Sequence, residues 1–269
     1  MEVTTDRIGG AFAAARAQGR AALMPYMMGG FPSPEAARGI ARAYVDSGAD
    51  LIEMGIPFSD PLADGPVIHA AGTAALEAGA DLDLALEGCS EVSAEVPVVV
   101  MAYANMMLAK GEAEFAAKLA DAGAAGVIVP DLPLGEGQAI REAIHDAGMA
   151  VVPLAAQTTE PARRLEICRV AEGFNYAVAV IGTTGERSGD VGEELRAFVG
   201  DLQEHAEVPV AVGFGISTPE QVGAFGEVAD GVIVGSRLVR AVQEADGAEE
   251  AARAVSEFIG AAREALGGD

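Results

Sequence analysis

Four times in this chain an alanine-rich amphipathic stretch runs into a small-residue stop and then into a β-branched apolar run. Residues 36–45 lead through Ser47-Gly48-Ala49-Asp50 to Leu51-Ile52-Glu53, and residues 113–119 through Asp121-Ala122-Gly123-Ala124 to Gly126-Val127-Ile128-Val129. Residues 138–145 lead through Asp146-Ala147-Gly148 to Ala150-Val151-Val152-Pro153, and residues 221–225 through Ala229-Asp230-Gly231 to Val232-Ile233-Val234. Each glycine suits a helix stop, because it enters the left-handed conformation without penalty. Further apolar runs at 23–27, 97–101, 176–180 and 208–212 bring the expectation to eight short buried strands separated mostly by helices. Continuous apolar strands alternating with helices imply a parallel sheet covered on both faces. Eight such units in 269 residues fit a (β/α)8 TIM barrel, typically ~250 residues long. A doubly wound open sheet competes, but it usually carries a dinucleotide fingerprint after the first strand. Met28-Gly29-Gly30-Phe31-Pro32 does not match one. Extra helices are expected at the N-terminus (7–18) and the C-terminus (251–266), and no linker or low-complexity segment interrupts the chain. Residues 1–269 therefore read as a single (β/α)8 barrel domain.

Composition narrows the partners. The 41 acidic against 17 basic groups give a formal charge of −24, which repels nucleic acid and anionic lipid. Neither is expected as a partner, and the charge bias reads as solubility. Cys89 and Cys168 lie far apart without ligand-like neighbours, which suggests buried structural roles rather than a disulfide framework. The first residues lack a basic start followed by an apolar run, and no stretch approaches membrane-spanning length. A soluble, cytoplasmic protein is expected.

Two carboxylates carry the chemistry. Glu53 closes the second apolar run, and Asp64 follows on the next loop, within Asp60-Pro61-Leu62-Ala63-Asp64-Gly65-Pro66. Active sites of parallel barrels lie at the carboxyl ends of the strands, which places both acids at one mouth. Two acids in different surroundings are the usual equipment of general acid–base catalysis. A rim ion pair for Glu53 and a plain turn for Asp64 form the competing reading, and the prolines fixing the loop's path weigh against it. Gly213-Phe214-Gly215-Ile216-Ser217 after the seventh strand and Gly235-Ser236 after the eighth suit a phosphate held by backbone N–H groups. The polar segment from Gly182 to Gly189 after the sixth strand has the composition of a lid. A Schiff base needs a lysine at a strand end, yet Lys118 falls inside a helical stretch and Lys110 at the start of one. His69, His145 and His205 are scattered, unlike metal ligands. Proton transfer on a phosphorylated small molecule, with no metal and no cofactor, remains.

The segment Glu53-Met54-Gly55-Ile56-Pro57-Phe58-Ser59-Asp60-Pro61-Leu62-Ala63-Asp64-Gly65-Pro66 resembles the signature of the tryptophan synthase alpha chain family. Tyr103-Ala104-Asn105, Pro130-Asp131-Leu132-Pro133, Thr184-Gly185, Gly213-Phe214-Gly215-Ile216-Ser217 and Gly235-Ser236 follow in the family's order and spacing, so the resemblance spans essentially the whole chain. It implies a barrel enzyme, a carbon–carbon lyase that cleaves indole-3-glycerol phosphate to indole and glyceraldehyde 3-phosphate in tryptophan biosynthesis. By the same resemblance, Glu53 protonates indole C3 and assists loss of the glyceryl hydroxyl proton, while Asp64 accepts the ring N–H. Tyr176 lies beside the glyceryl part and Thr184 meets Asp64 on lid closure. Gly185, Gly215, Gly235 and Ser236 hold the phosphate, and Tyr26, Met101 and Phe214 line the indole pocket. The implied partner is a pyridoxal-phosphate-bearing beta chain in an α2β2 heterotetramer, met by the loop from Pro57 to Asp64 and by the segment from Asn105 to Met107.

Met28, Thr183 and His69 depart from the family's usual residues, without touching the two carboxylates. Three other readings stay open at this point: a stand-alone lyase of the same fold, a barrel kept as a binding subunit, and another phosphate-binding isomerase or synthase.

Overall fold

The computed structural model describes residues 5–179, 191–213 and 215–267. Its strands are β1 (Ala22–Met28), β2 (Ile52–Gly55), β3 (Val98–Met101), β4 (Gly126–Ile128), β5 (Ala150–Val152), β6 (Leu154–Ala156), β7 (Asn175–Val178), β8 (Val210–Gly213) and β9 (Gly231–Val234). The helices are α1 (Thr5–Ala17), α2 (Pro34–Asp46), α3 (Pro66–Glu77), α4 (Leu82–Val92), α5 (Ala104–Lys110), α6 (Glu112–Asp121), α7 (Gln138–Asp146), α8 (Pro161–Arg169), α9 (Glu193–His205), α10 (Pro219–Gly226), α11 (Ser236–Glu244) and α12 (Ala248–Ala265).

All strand pairs are parallel, in the order β5-β4-β3-β2-β1-β9-β8-β7-β6. The two ends of that order, β5 and β6, are consecutive in the chain and separated only by Pro153. They are halves of one strand, one paired with β4 and the other with β7. Pro153 has no N–H to give a ladder, but its carbonyl accepts from Tyr176 N–H at 3.0 Å. The ring therefore closes as eight strands, as the apolar runs predict, with the fifth bent at its proline.

Two apolar layers result. Ile52, Met54, Val98, Val100 and Val127 face the helices, whereas Met24, Leu51, Val99, Ile128, Val152, Phe174 and Ile233 fill the barrel interior. Helix α1 belongs to the inner layer: its Ile8 and Phe12 plug the amino-terminal end of the barrel, Phe12 lying 5.8 Å from Phe174 between ring centroids. Small residues on the strands make room for the plug. A Cβ on Gly231 would stand 2.6 Å from Phe12 Cε1, and one on Gly126 would stand 3.1 Å from Ile8 Cδ1.

That packing corrects one expectation. Gly48, Gly123 and Gly148 do end helices at positive φ (94°, 84° and 80°). Gly231 instead opens β9, and its missing side chain serves the plug rather than a helix stop. The end helices run Thr5–Ala17 and Ala248–Ala265, close to the expected 7–18 and 251–266. Lys110 ends a helix rather than starting one and pairs with Glu114 at 3.1 Å. Among the described residues no helix is long and apolar enough to cross a membrane.

Candidate active site

Glu53 sits within β2 rather than at its end, opposite Tyr26 of β1 and Val99 of β3. Alternation decides its surroundings. Ile52 and Met54 point to the helices, so Glu53 points into the barrel and is 1% exposed. Its Oε1 has no hydrogen-bond partner, a costly state for a buried carboxyl oxygen. Burial, with a smaller contribution from Asp64, pushes the Glu53 pKa up from 4.5 to about 8. At neutral pH this carboxyl is an acid holding its proton.

Asp64 reaches the same space from the loop between β2 and α3. Pro66 begins α3 at the first helical position, where its fixed φ is already suitable, and Gly65 caps it. That sharp entry holds Asp64 just outside the helix. The Tyr103 hydroxyl, carried on the loop after β3, donates to Asp64 Oδ1 at 2.7 Å and accepts from Ala63 N–H at 3.1 Å. Phe58 stacks on the Tyr103 ring at 5.3 Å. The adjacent Ala104 N–H donates to Asp131 Oδ1 at 2.8 Å, fastening this segment to the loop after β4. Burial raises the Asp64 pKa, while the Tyr103 hydrogen bond and His69 pull it back. The two acids thus stand in unlike environments, one dry and unpartnered, the other half-open and held by a phenol.

Both border one cavity of about 380 Å³, together with Tyr26, Met101, Tyr176, Gly215, Gly235 and Ser236. Eight of the eleven residues named from the sequence therefore meet at one mouth. Thr184, Gly185 and Phe214 lie outside the described residues, as do Thr183 and the whole of the expected lid from Gly182 to Gly189. Two glycines on the strands set the tyrosines: a Cβ on Gly55 would collide with the Tyr26 hydroxyl, and one on Gly213 with that of Tyr176. Burial, reinforced by the carboxylates, raises both phenol pKa values. They remain neutral polar groups at the cavity wall.

The side of the cavity expected to take an anion is glycine-bearing backbone. Gly215 has φ +75°, a conformation that favours glycine. Gly235 caps α11, whose first residue is Ser236, and both border the cavity, so the end of the helix that carries unpaired N–H groups lies at its wall. A Cβ on Gly235 would meet Tyr26 only at ordinary contact distance, 3.7 Å, so the fold itself has room for a side chain there. His69 is an exposed residue of α3, and Cys89 and Cys168 are buried free thiols.

Sequence reasoning missed several wall residues. Leu154, Val178 and Ile233 line the apolar side, and Arg240 of α11 reaches the rim. Inward alternation on β6, β7 and β9 could have found the first three. Tyr103 enters the sequence reading only as part of the motif Tyr103-Ala104-Asn105, which says nothing of its hydrogen bond to Asp64.

The family model described as tryptophan synthase alpha chain matches residues 12–266. Among curated relatives, the tryptophan synthase alpha chain of Carboxydothermus hydrogenoformans is 44% identical over 240 residues, covering 88% of this chain and 90% of that one. That of Cupriavidus taiwanensis is 40% identical over 264 residues, covering 97% and 99%. Among solved structures, a chain of Mycobacterium tuberculosis tryptophan synthase superposes with a TM-score of 0.87 at 35% identity, covering 97% of this chain and 98% of that one. Tryptophan synthase subunit alpha of Legionella pneumophila gives 0.87 at 33% identity, with the same coverage. With the match spanning the barrel from plug to last helix, this chain belongs to the tryptophan synthase alpha chain family.

Proposed function

We propose that this chain cleaves indole-3-glycerol phosphate into indole and glyceraldehyde 3-phosphate, using Glu53 as the proton donor and Asp64 as the partner of the indole ring nitrogen. The observation that carries the reading is a buried carboxyl with an unpartnered oxygen, whose burial favours the protonated form, and a phenol-held carboxylate on the wall of one cavity. Glu53 gives its proton to indole C3, and the ring becomes a cation whose N–H donates to Asp64. The C3–glyceryl bond then breaks, its electrons return to the ring, and the glyceryl hydroxyl passes its proton to the Glu53 carboxylate. One aldehyde and one indole result, and the acid is restored. Protonation makes indole a leaving group, so the residues need neither an imine nor a metal for this step.

Met101, Leu154 and Val178 offer the apolar wall that an indole ring requires, with Tyr26 beside it; the family resemblance assigns Phe214 to the same ring. Tyr176 attends the glyceryl hydroxyls, and Thr184 contacts Asp64 when the lid closes. The amides of Gly185, Gly215, Gly235 and Ser236 take the phosphate, with the helix dipole of α11 adding a partial positive charge.

We place the chain in the cytoplasm, as a single-domain alpha subunit docked on a beta chain in an α2β2 assembly. Two large apolar side chains support the docking. Leu62, on the loop bearing Asp64, is 87% exposed, and Leu108 of α5, beside the segment from Asn105 to Met107, is 55% exposed. The test of the chemistry is indole release by Glu53→Gln and Asp64→Asn. Each variant is expected to lose roughly 10²-fold or more in kcat while still binding substrate. Near-normal turnover in either would overturn the assignment.

A further inference from the structure

We infer that Arg240 is a substrate-binding residue that supplies the side-chain positive charge for the phosphate, an inference that rests on the proposed phosphate cradle. Ser236 and Arg240 are four residues apart on α11, hence on one face of it, and both border the cavity. Helical side chains lean toward the helix N-terminus, so Arg240 leans back over the first turn, the one that carries the helix's unpaired N–H groups. Among the described residues bordering the cavity, Arg240 is the one cation. Its neighbour Arg237 is committed elsewhere, over the Phe258 ring of α12 at 5.3 Å.

Arg240 itself is exposed and makes no hydrogen bond or ion pair among the described residues. Arg169 and Arg253 share that state, while Arg16, Arg20, Arg38, Arg42, Arg163, Arg164 and Arg263 are each paired with a carboxylate; what sets Arg240 apart is that it borders the cavity. In a chain of formal charge −24, an unclaimed guanidinium beside an anion-binding helix end has a use. The cavity already holds Asp64, and a phosphate adds further negative charge. Backbone amides alone place partial charges against it, whereas a guanidinium adds a full charge and a two-pronged hydrogen-bond donor.

The test compares Arg240→Gln with Gly235→Val, using indole-3-glycerol phosphate, its unphosphorylated analogue and inorganic phosphate as a competitive inhibitor. Arg240→Gln is expected to raise KM for the phosphorylated substrate and the inhibition constant of phosphate by roughly tenfold. The preference for phosphorylated over unphosphorylated substrate should fall by the same factor. Its KM should also depend less steeply on ionic strength than that of the natural chain, and Arg240→Lys should recover part of the loss. If Arg240→Gln leaves phosphate affinity intact while Gly235→Val abolishes it, the cradle stands and the role of Arg240 is overturned. If neither variant changes phosphate affinity, the cradle falls and Arg240 with it. An equal loss on both substrates would also overturn the inference, because the effect would then not pass through phosphate.

Discussion

Glu53 occupies a position where its neighbours in the strand would lead one to expect valine or isoleucine. Its carboxyl tolerates that place by keeping its proton, with a pKa pushed up to about 8. The linkage has a definite sign. The folded state binds this proton more tightly than the unfolded chain, so Glu53's contribution to stability is complete below pH 4.5 and lost as pH rises toward 8. Glu53→Gln, which cannot ionise, should therefore unfold less readily than the natural chain at pH 7, by roughly 3 kcal/mol. Denaturant titrations at pH 5 and pH 7 measure this, and equal pH dependence in the two proteins would refute it. Asp64 poses the converse requirement, since the proposed reaction needs it ionised to accept the ring N–H. The Tyr103 hydroxyl lowers its pKa, so Tyr103→Phe should shift the acidic limb of kcat/KM to higher pH and reduce turnover by roughly tenfold. An unmoved acidic limb would remove Tyr103 from the site. Glu53 and Asp64 were legible because each breaks its local rule, an acid in an apolar strand and an acid in a proline-framed turn. Tyr103 and Arg240 break none, being an aromatic at a strand exit and an arginine on a helix, and only the folded chain shows what they face.

Among the elements, the eight strands were readable because both faces of each are buried, which leaves nearly unbroken apolar runs. Their ends were less so. The fifth strand runs on past Pro153 to Ala156, because β7 needs the proline's carbonyl rather than its missing N–H. Gly231 shows a different limit. As a residue after Ala229-Asp230 it reads as a helix stop, yet what fixes it is Phe12 from a helix more than two hundred positions earlier. Gly231→Ala should destabilise the fold by about 1–3 kcal/mol through that overlap. Phe12→Leu in the same chain should relieve part of the loss. Simple additivity of the two substitutions in thermal or denaturant unfolding would show that the plug is not the cause.

For the whole molecule, the barrel puts its two acids and its most exposed large apolar side chain, Leu62, at the same mouth. Leu62 sits two residues from Asp64, so a partner covering Leu62 acts directly on the loop that carries the second acid. Leu62→Asp should weaken beta-chain association at least tenfold while leaving the isolated chain folded, as read by titration calorimetry and circular dichroism. Unaltered affinity would move the docking surface elsewhere. The strongly acidic exterior, uninformative about chemistry, is consistent with a site that recognises its anion by oriented amides and local cation rather than by the field of the whole protein. Everything in the proposed reaction turns on a glutamic acid that still holds its proton at neutral pH. The most direct measurement is a titration of the Glu53 carboxyl itself, by carbon-13 NMR of labelled protein with Glu53→Gln to assign the signal. Protonation that persists past pH 7 and is lost near pH 8 is the expected result; loss of the proton near pH 4.5 would contradict it.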